Sequence, residues 1–300
     1  MKPLANFIMR GWPQAVTVST FTALAVTISP LLIPLLWVSA ASVGLVTLRL
    51  GTARGMQVIG GSTVLLAVLL VVALQQSMFG VVSWAVWWGV ALIAAWVLRS
   101  RVSLAASVEV IAVVVGLGLV LFHLAVGNPT EWWSAQFGSM LADLPDDTVA
   151  GFRQVLIDSA GFMTQAVAIS LLASQVVALL LARHWQAQLF NPGGFRNEFH
   201  GLRFEPRWAF LVVGLVVAAM ITKQAIVADL AAVSVLVYAL QGLAVLHALG
   251  AGKKAPGFWM VLIYVPLVLM FTVAVQLLAL LGLIDTWLDL RKRMGAGADS

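Results

Sequence analysis

The chain is 300 residues long, 62% hydrophobic and only 10% charged, with a mean hydropathy of +1.02. Soluble domains are about half apolar and about one quarter charged, so a soluble fold is excluded and the bilayer is the solvent. Cysteine is absent, which removes disulfides, thiolate metal sites and thiol nucleophiles, and the net charge of +5 is spread in pairs along the chain, a pattern that points to orientation in a membrane and away from nucleic acid.

Crossing a hydrocarbon core takes about 20 helical residues, with every backbone group paired inside the segment. Nine stretches qualify in chain order: 14–29, 31–48, 55–75, 80–98, 102–127, 159–182, 207–223, 229–250 and 257–284. The expected fold class is all-α, a polytopic transmembrane helix bundle of eight or nine spans. It forms one domain over 1–294, followed by a small-residue tail, 295–300. Lys2 and Arg10 precede the first span and no small-residue cleavage site follows, so a retained first helix is expected.

Basic residues favour the cytoplasmic side. Lys2/Arg10, Arg49/Arg54, Arg99/Arg101, Arg183 to Arg207 and Lys253/Lys254 fall on one face if every stretch before Lys253 crosses, which places the N-terminus in the cytoplasm. The segment 128–158 carries Glu131, Asp143, Asp146, Asp147 and Asp158 against Arg153 alone, so it belongs outside. Its apolar residues, Trp132, Trp133, Phe137, Met140, Leu141 and Leu144, recur at helical spacing. Phe152, Val155 and Leu156 continue the pattern, predicting an interfacial amphipathic helix pair. A ninth crossing would carry Arg291-Lys292-Arg293 outside. Either one weak candidate stays on its side, giving eight spans, or the C-terminal cluster breaks the charge bias.

Four short motifs stand together: Pro34 with Leu48-Arg49-Leu50-Gly51 and Gly55; Asn191-Pro192-Gly193-Gly194-Phe195-Arg196; Gln241-Gly242-Leu243-Ala244-Val245-Leu246-His247; and Gly282-Leu283-Ile284-Asp285 ahead of Arg291 to Arg293. On these the chain resembles the YybS-like family of bacterial integral membrane proteins. Its first six spans look like the substrate-binding S-component of energy-coupling-factor vitamin transporters. The resemblance implies a bacterial inner-membrane protein that binds a solute and relies on a membrane or ATPase partner. The chain departs from it in that Ala23 and Ala25 lack the alanine spacing of the S-component coupling helix, and two or three extra spans follow.

Glu109 lies eight residues into the fifth span, where a lone carboxylate is costly unless it is neutral, paired or beside water. It either lines a polar cavity or snorkels to the interface. His123 follows on nearly the same face, with ligation set against an ordinary interfacial position. Gln165 and Gln175 on the sixth span, with Gln241 and Gln276 later, either face a ligand or bond across to neighbouring helices. Lys223 and Asp229 read as a hydrated ion pair at an external turn. Trp84, Trp87 and Trp88 read as headgroup anchors or a stacking wall. Asn191-Pro192-Gly193-Gly194 reads as a tight cytoplasmic corner, or less simply as an anion cradle, since the Gly-Lys-Ser/Thr ending of a nucleotide loop is missing.

No nucleotide loop, metal cluster or hydrolase motif occurs in the sequence, and no cofactor is expected. The expected function is non-enzymatic: binding of a small or amphipathic solute in a pocket open to the outside, with Glu109, His123, Gln165 and Gln175 lining it. The competing readings are a scaffold that docks proteins or lipid headgroups on 183–207 and Arg291 to Arg293, and an enzyme acting on lipid.

Overall fold

The computed structural model describes residues 2–142, 146–251 and 256–295. Asp143, Leu144, Lys253, Lys254 and the tail from 296 lie outside the described residues, as do the side chains of Asp146 and Asp147. The described chain is helical, with no strand: α1 (Lys2–Ile8), α2 (Trp12–Ile28), α3 (Pro34–Leu50), α4 (Thr52–Ala67), α5 (Met78–Arg101), α6 (Leu104–Val126), α7 (Pro129–Met140), α8 (Asp146–Phe190), α9 (Gly194–His200), α10 (Pro206–Thr222), α11 (Ala225–Gly250), α12 (Pro256–Leu269), α13 (Phe271–Leu288) and α14 (Leu290–Gly295). Six helical stretches are long and apolar enough to cross a bilayer: Thr52–Ala73, Met78–Arg101, Leu104–Val126, Gly151–Phe190, Ala225–Gly250 and Phe271–Leu288. This is the helical bundle of a multi-pass membrane protein.

Local chemistry sets the helix starts. Proline stands in the first turn of α2, α3, α7 and α10, where its missing N–H leaves no bond unmade. The Ser77 hydroxyl caps α5 by accepting from the Phe79 N–H, Ser103 caps α6 through Ala106, and the Asn128 side chain accepts from Thr130 and Glu131. The helix of α4 continues as a π-helix over Val68–Ala73, so the span expected at 55–75 is helical as far as Ala73.

The hub is α3. Residues Ser39 to Leu48 are buried without interruption, because serine, alanine and glycine leave room for neighbours on every side. It packs against α2, α4, α5 and α8, and Gly44 sits close to the Ala182 methyl of α8. The Ser39 hydroxyl donates to the Ser19 carbonyl at 2.8 Å, tying α2 to α3. It also accepts from the Trp88 indole at 2.9 Å, while Trp84 donates to Thr27 at 2.9 Å. Trp84 and Trp88 are therefore interior hydrogen-bond donors, not headgroup anchors or a ligand wall. Their spacing gives a helix face, and the nearby hydroxyls decide that the face turns inward.

Two elements differ from the sequence reading. The sixth span is part of a 45-residue helix, α8, about 68 Å long at 1.5 Å per residue. It absorbs the second half of the external segment at one end and the first part of the basic 183–207 stretch at the other. Here α7 packs against α8, whose first turns take the place of a separate second interfacial helix, with the Trp133 indole donating to Thr164 at 2.9 Å. The stretch 257–284 is two helices broken at Met270 (φ −133°, ψ 50°), four residues after Pro266, whose ring cannot fit a regular helix interior. The first of the two, α12, lies against the C-terminal end of α11: Trp259 donates to the Leu246 carbonyl at 2.8 Å and Tyr264 reaches His247 at 3.2 Å. The second, α13, then returns along α11, so 257–284 is not one continuous span.

Candidate functional site

The α11–α13 seam is the closest helix contact among the described residues. A Cβ on Gly242 would fall 1.9 Å from the Leu278 carbonyl oxygen, and one on Gly282 would fall 2.2 Å from the Tyr238 carbonyl oxygen. Only glycine permits that approach. Beside it, the Gln241 amide donates to the Gly282 carbonyl (2.9 Å), Asp285 (3.1 Å) and Thr286 (3.2 Å), and accepts from the Phe204 N–H at 2.9 Å. Asp285, fully buried, accepts from Arg291 at 2.6 Å and from the Leu290 N–H at 3.0 Å. Arg291 also donates to the His200 and Leu202 carbonyls. The sequence singles out Gln241, Gly242 and Asp285 separately; the structure joins them in one clamp whose role is structural.

Both α8 and α13 pack on α11 yet hardly meet each other. Between them is a cavity of about 1080 Å³. Its depth is apolar, with Val108 of α6, Leu172 and Val176 of α8, Leu240 of α11, and Val275 and Leu278 of α13 on the walls. Its polar rim is made by Lys2, His184, Gln188, Arg196, His200, His247 and Tyr264, with Pro192 and Gly193 of the corner after α8. No aspartate or glutamate is among the described residues lining it. The corner itself is tight as expected: Gly193 takes φ 88°, a left-handed geometry suited to glycine, and the Gly194 N–H returns to the Asn191 carbonyl at 3.1 Å. Arg183 holds α9 against α8 through a bidentate pair with Glu198, one arm at 2.7 Å.

Two of the rim imidazoles have defined surroundings. His247 donates from Nδ1 to the Leu243 carbonyl at 2.9 Å, since a carbonyl only accepts, and its Nε2 lies 3.2 Å from the Tyr264 hydroxyl. His200, outside the spans, titrates below the ordinary histidine range because it is partly buried and faces Arg196, His247 and Arg291. It is therefore neutral at pH 7.

None of Glu109, His123, Gln165 and Gln175 lines this cavity. Glu109 faces the Trp208 indole in the field of Glu205, Arg207 and Arg101. His123 Nε2 meets Asp229 at 2.8 Å, each side chain 9% exposed, so Asp229 belongs to a buried α6–α11 pair and not to a hydrated pair with Lys223. Gln165 reaches the Ala228 carbonyl of α11 at 3.5 Å, and Gln175 donates to the Trp87 carbonyl of α5 at 2.9 Å. The two glutamines thus bridge to different helices. Ten residues at 100° each leave them about 80° apart around α8.

Among the rim residues Arg196 ends the Asn191 to Arg196 motif, whereas His184, Gln188, His200 and Tyr264 carry none. For His184, Gln188 and His200 the only signal is their place in the basic 183–207 stretch, and Tyr264 has none. No group of three or more metal-type ligands occurs among the described residues. Comparisons of the chain with protein-family models, curated proteins and solved structures return no match.

Proposed function

We propose that this is a non-enzymatic solute-binding protein of a bacterial inner membrane, with its basic end in the cytoplasm, holding an amphipathic small molecule between α8, α11 and α13. The observation that carries the reading is the cavity of about 1080 Å³: volumes of ~300–1,000 Å³ suit small-molecule ligands, and an apolar wall with a few convergent polar groups is the usual form of such sites. The S-component resemblance supports the same class and adds a membrane or ATPase partner that would supply energy. A docking scaffold has less support, because Arg291 is consumed by Asp285 and two carbonyls and offers little to a partner.

The test is native mass spectrometry of protein purified in a mild detergent, beside Ala173→Phe, which puts an aromatic ring into the cavity. A bound mass on the parent that Ala173→Phe lacks is the expected result. Equal retention by both, or none by either, would remove the cavity from the function.

A further inference from the structure

The cavity has a charge asymmetry that its volume alone does not reveal. Its rim brings together the cations Lys2 and Arg196 with the imidazoles His184 and His200, and no carboxylate lines it among the described residues. Two carboxylates of the same end are already paired, Glu198 with Arg183 and Asp285 with Arg291. Arg196 is exposed and has no hydrogen bond or ion pair among the described residues. His184 has a ring contact with Phe195 and no hydrogen bond among them. Resting on the binding function proposed above, we propose that the occupant is an anionic membrane lipid, its phosphate at Arg196, His184 and His200 and an acyl chain between α8 and α13.

A lipid fits better than a soluble phosphate for two reasons. The depth is walled by Leu172, Val176, Leu240, Val275 and Leu278, against which a free phosphate gains nothing. The separation of α8 from α13 leaves the cavity between two membrane helices rather than behind a packed wall, a route for a chain already dissolved in the bilayer. Such a chain leaves one hydrocarbon medium for another, so burying it gives little preference. Selectivity has to come from the head, and the rim supplies the cations Lys2 and Arg196 with no anion among its described residues. Guanidinium and imidazole donors to a phosphate form charge-assisted bonds, the stronger class of hydrogen bond.

The measurement is native mass spectrometry of lipids retained from phosphatidylcholine nanodiscs doped with phosphatidic acid of the same acyl chains. We expect one equivalent of phosphatidic acid, preferred about tenfold over phosphatidylcholine, as one charge-assisted hydrogen bond allows. The double variant Arg196→Gln/His184→Gln should erase that preference and leave total lipid retention unchanged. Lys292→Gln, at a lysine whose side chain is 86% exposed and outside the rim, should keep it. Ala173→Phe should lose both lipids.

Equal retention of the two lipids, each lost in Ala173→Phe, would overturn the headgroup assignment while leaving the binding function standing. No retention of either would count against both. A preference that survives the double variant, or that Lys292→Gln abolishes, would place the charge readout elsewhere. Displacement of phosphatidic acid by millimolar inorganic phosphate would assign the site to a soluble anion and overturn the lipid.

Discussion

Two carboxylates within the apolar helices differ in what holds them, and that difference decides what their removal does. Asp229 is 7% exposed and meets His123 at 2.8 Å. Glu109 forms no ion pair among the described residues and faces an indole in a mixed field of charges. Asp229→Ala leaves a buried imidazole N–H of His123 without its acceptor and should cost about 1–3 kcal/mol, the usual result of stranding a buried donor. Asp229→Asn, which keeps an acceptor for the imidazole, should cost less. Glu109→Gln strands no cation and should change stability by no more than about 1 kcal/mol. Thermal melts in detergent rank the three. A Glu109→Gln variant as damaged as Asp229→Ala would mean that Glu109 is half of a pair the structure does not contain. The sequence pairs Asp229 with its neighbour Lys223 in water and misses His123, because partnership depends on which helix comes alongside: α11 brings Asp229 to His123, and α10 brings Trp208 to Glu109.

At the scale of elements, helix existence is legible and helix relation is not. Apolar runs and capping residues fix the positions of α4, α5, α6, α10 and α11 to within a few residues, because spanning length and caps are local properties. The break at Met270 has its cause at Pro266, which sits inside an uninterrupted apolar stretch that composition alone reads as one span. The cavity depends on a nonlocal fact: α8 and α13 both lean on α11 without closing on each other. The seam that makes this possible has a direct test. Gly242→Ala would set a methyl 1.9 Å from a backbone carbonyl of Leu278, which cannot rotate away as a side chain could. The helices must part, and overpacking of this kind costs about 1–3 kcal/mol. Parting also stretches the Gln241 bonds to Gly282, Asp285 and Thr286. Gly60, with open space where its Cβ would stand, is the matched control: Gly60→Ala should melt at or above the parent temperature, as expected for alanine in a helix interior. A Gly242→Ala protein as stable as the parent would show that the seam tolerates a wider spacing.

For the whole molecule, the same basic end collects groups distant in sequence, and this bears on the C-terminal charges that the sequence leaves in conflict. Arg99 donates to the carbonyls of Leu48 and Arg49, the Arg49 guanidinium stands 4.3 Å from the Phe190 ring centroid, and Lys2 shares the cavity rim with Arg196 and His200. Arg291 joins them through the His200 and Leu202 carbonyls. The C-terminal cluster thus neighbours the basic 183–207 stretch, and the split of 257–284 into α12 and α13 removes the uninterrupted crossing that would have separated them. From the charge bias we expect all of these bases on the cytoplasmic side and α7 on the other. Because the chain has no cysteine, single introduced thiols report their side without a background. Ser139 and Asn197 are both exposed. Ser139→Cys should react with a membrane-impermeant maleimide in intact cells, and Asn197→Cys and Lys292→Cys only after permeabilisation. The reverse pattern would invert the bundle and turn the cavity rim outward. Labelling of Lys292→Cys alone in intact cells would separate the C-terminal cluster from the 183–207 stretch and contradict the Arg291 contacts.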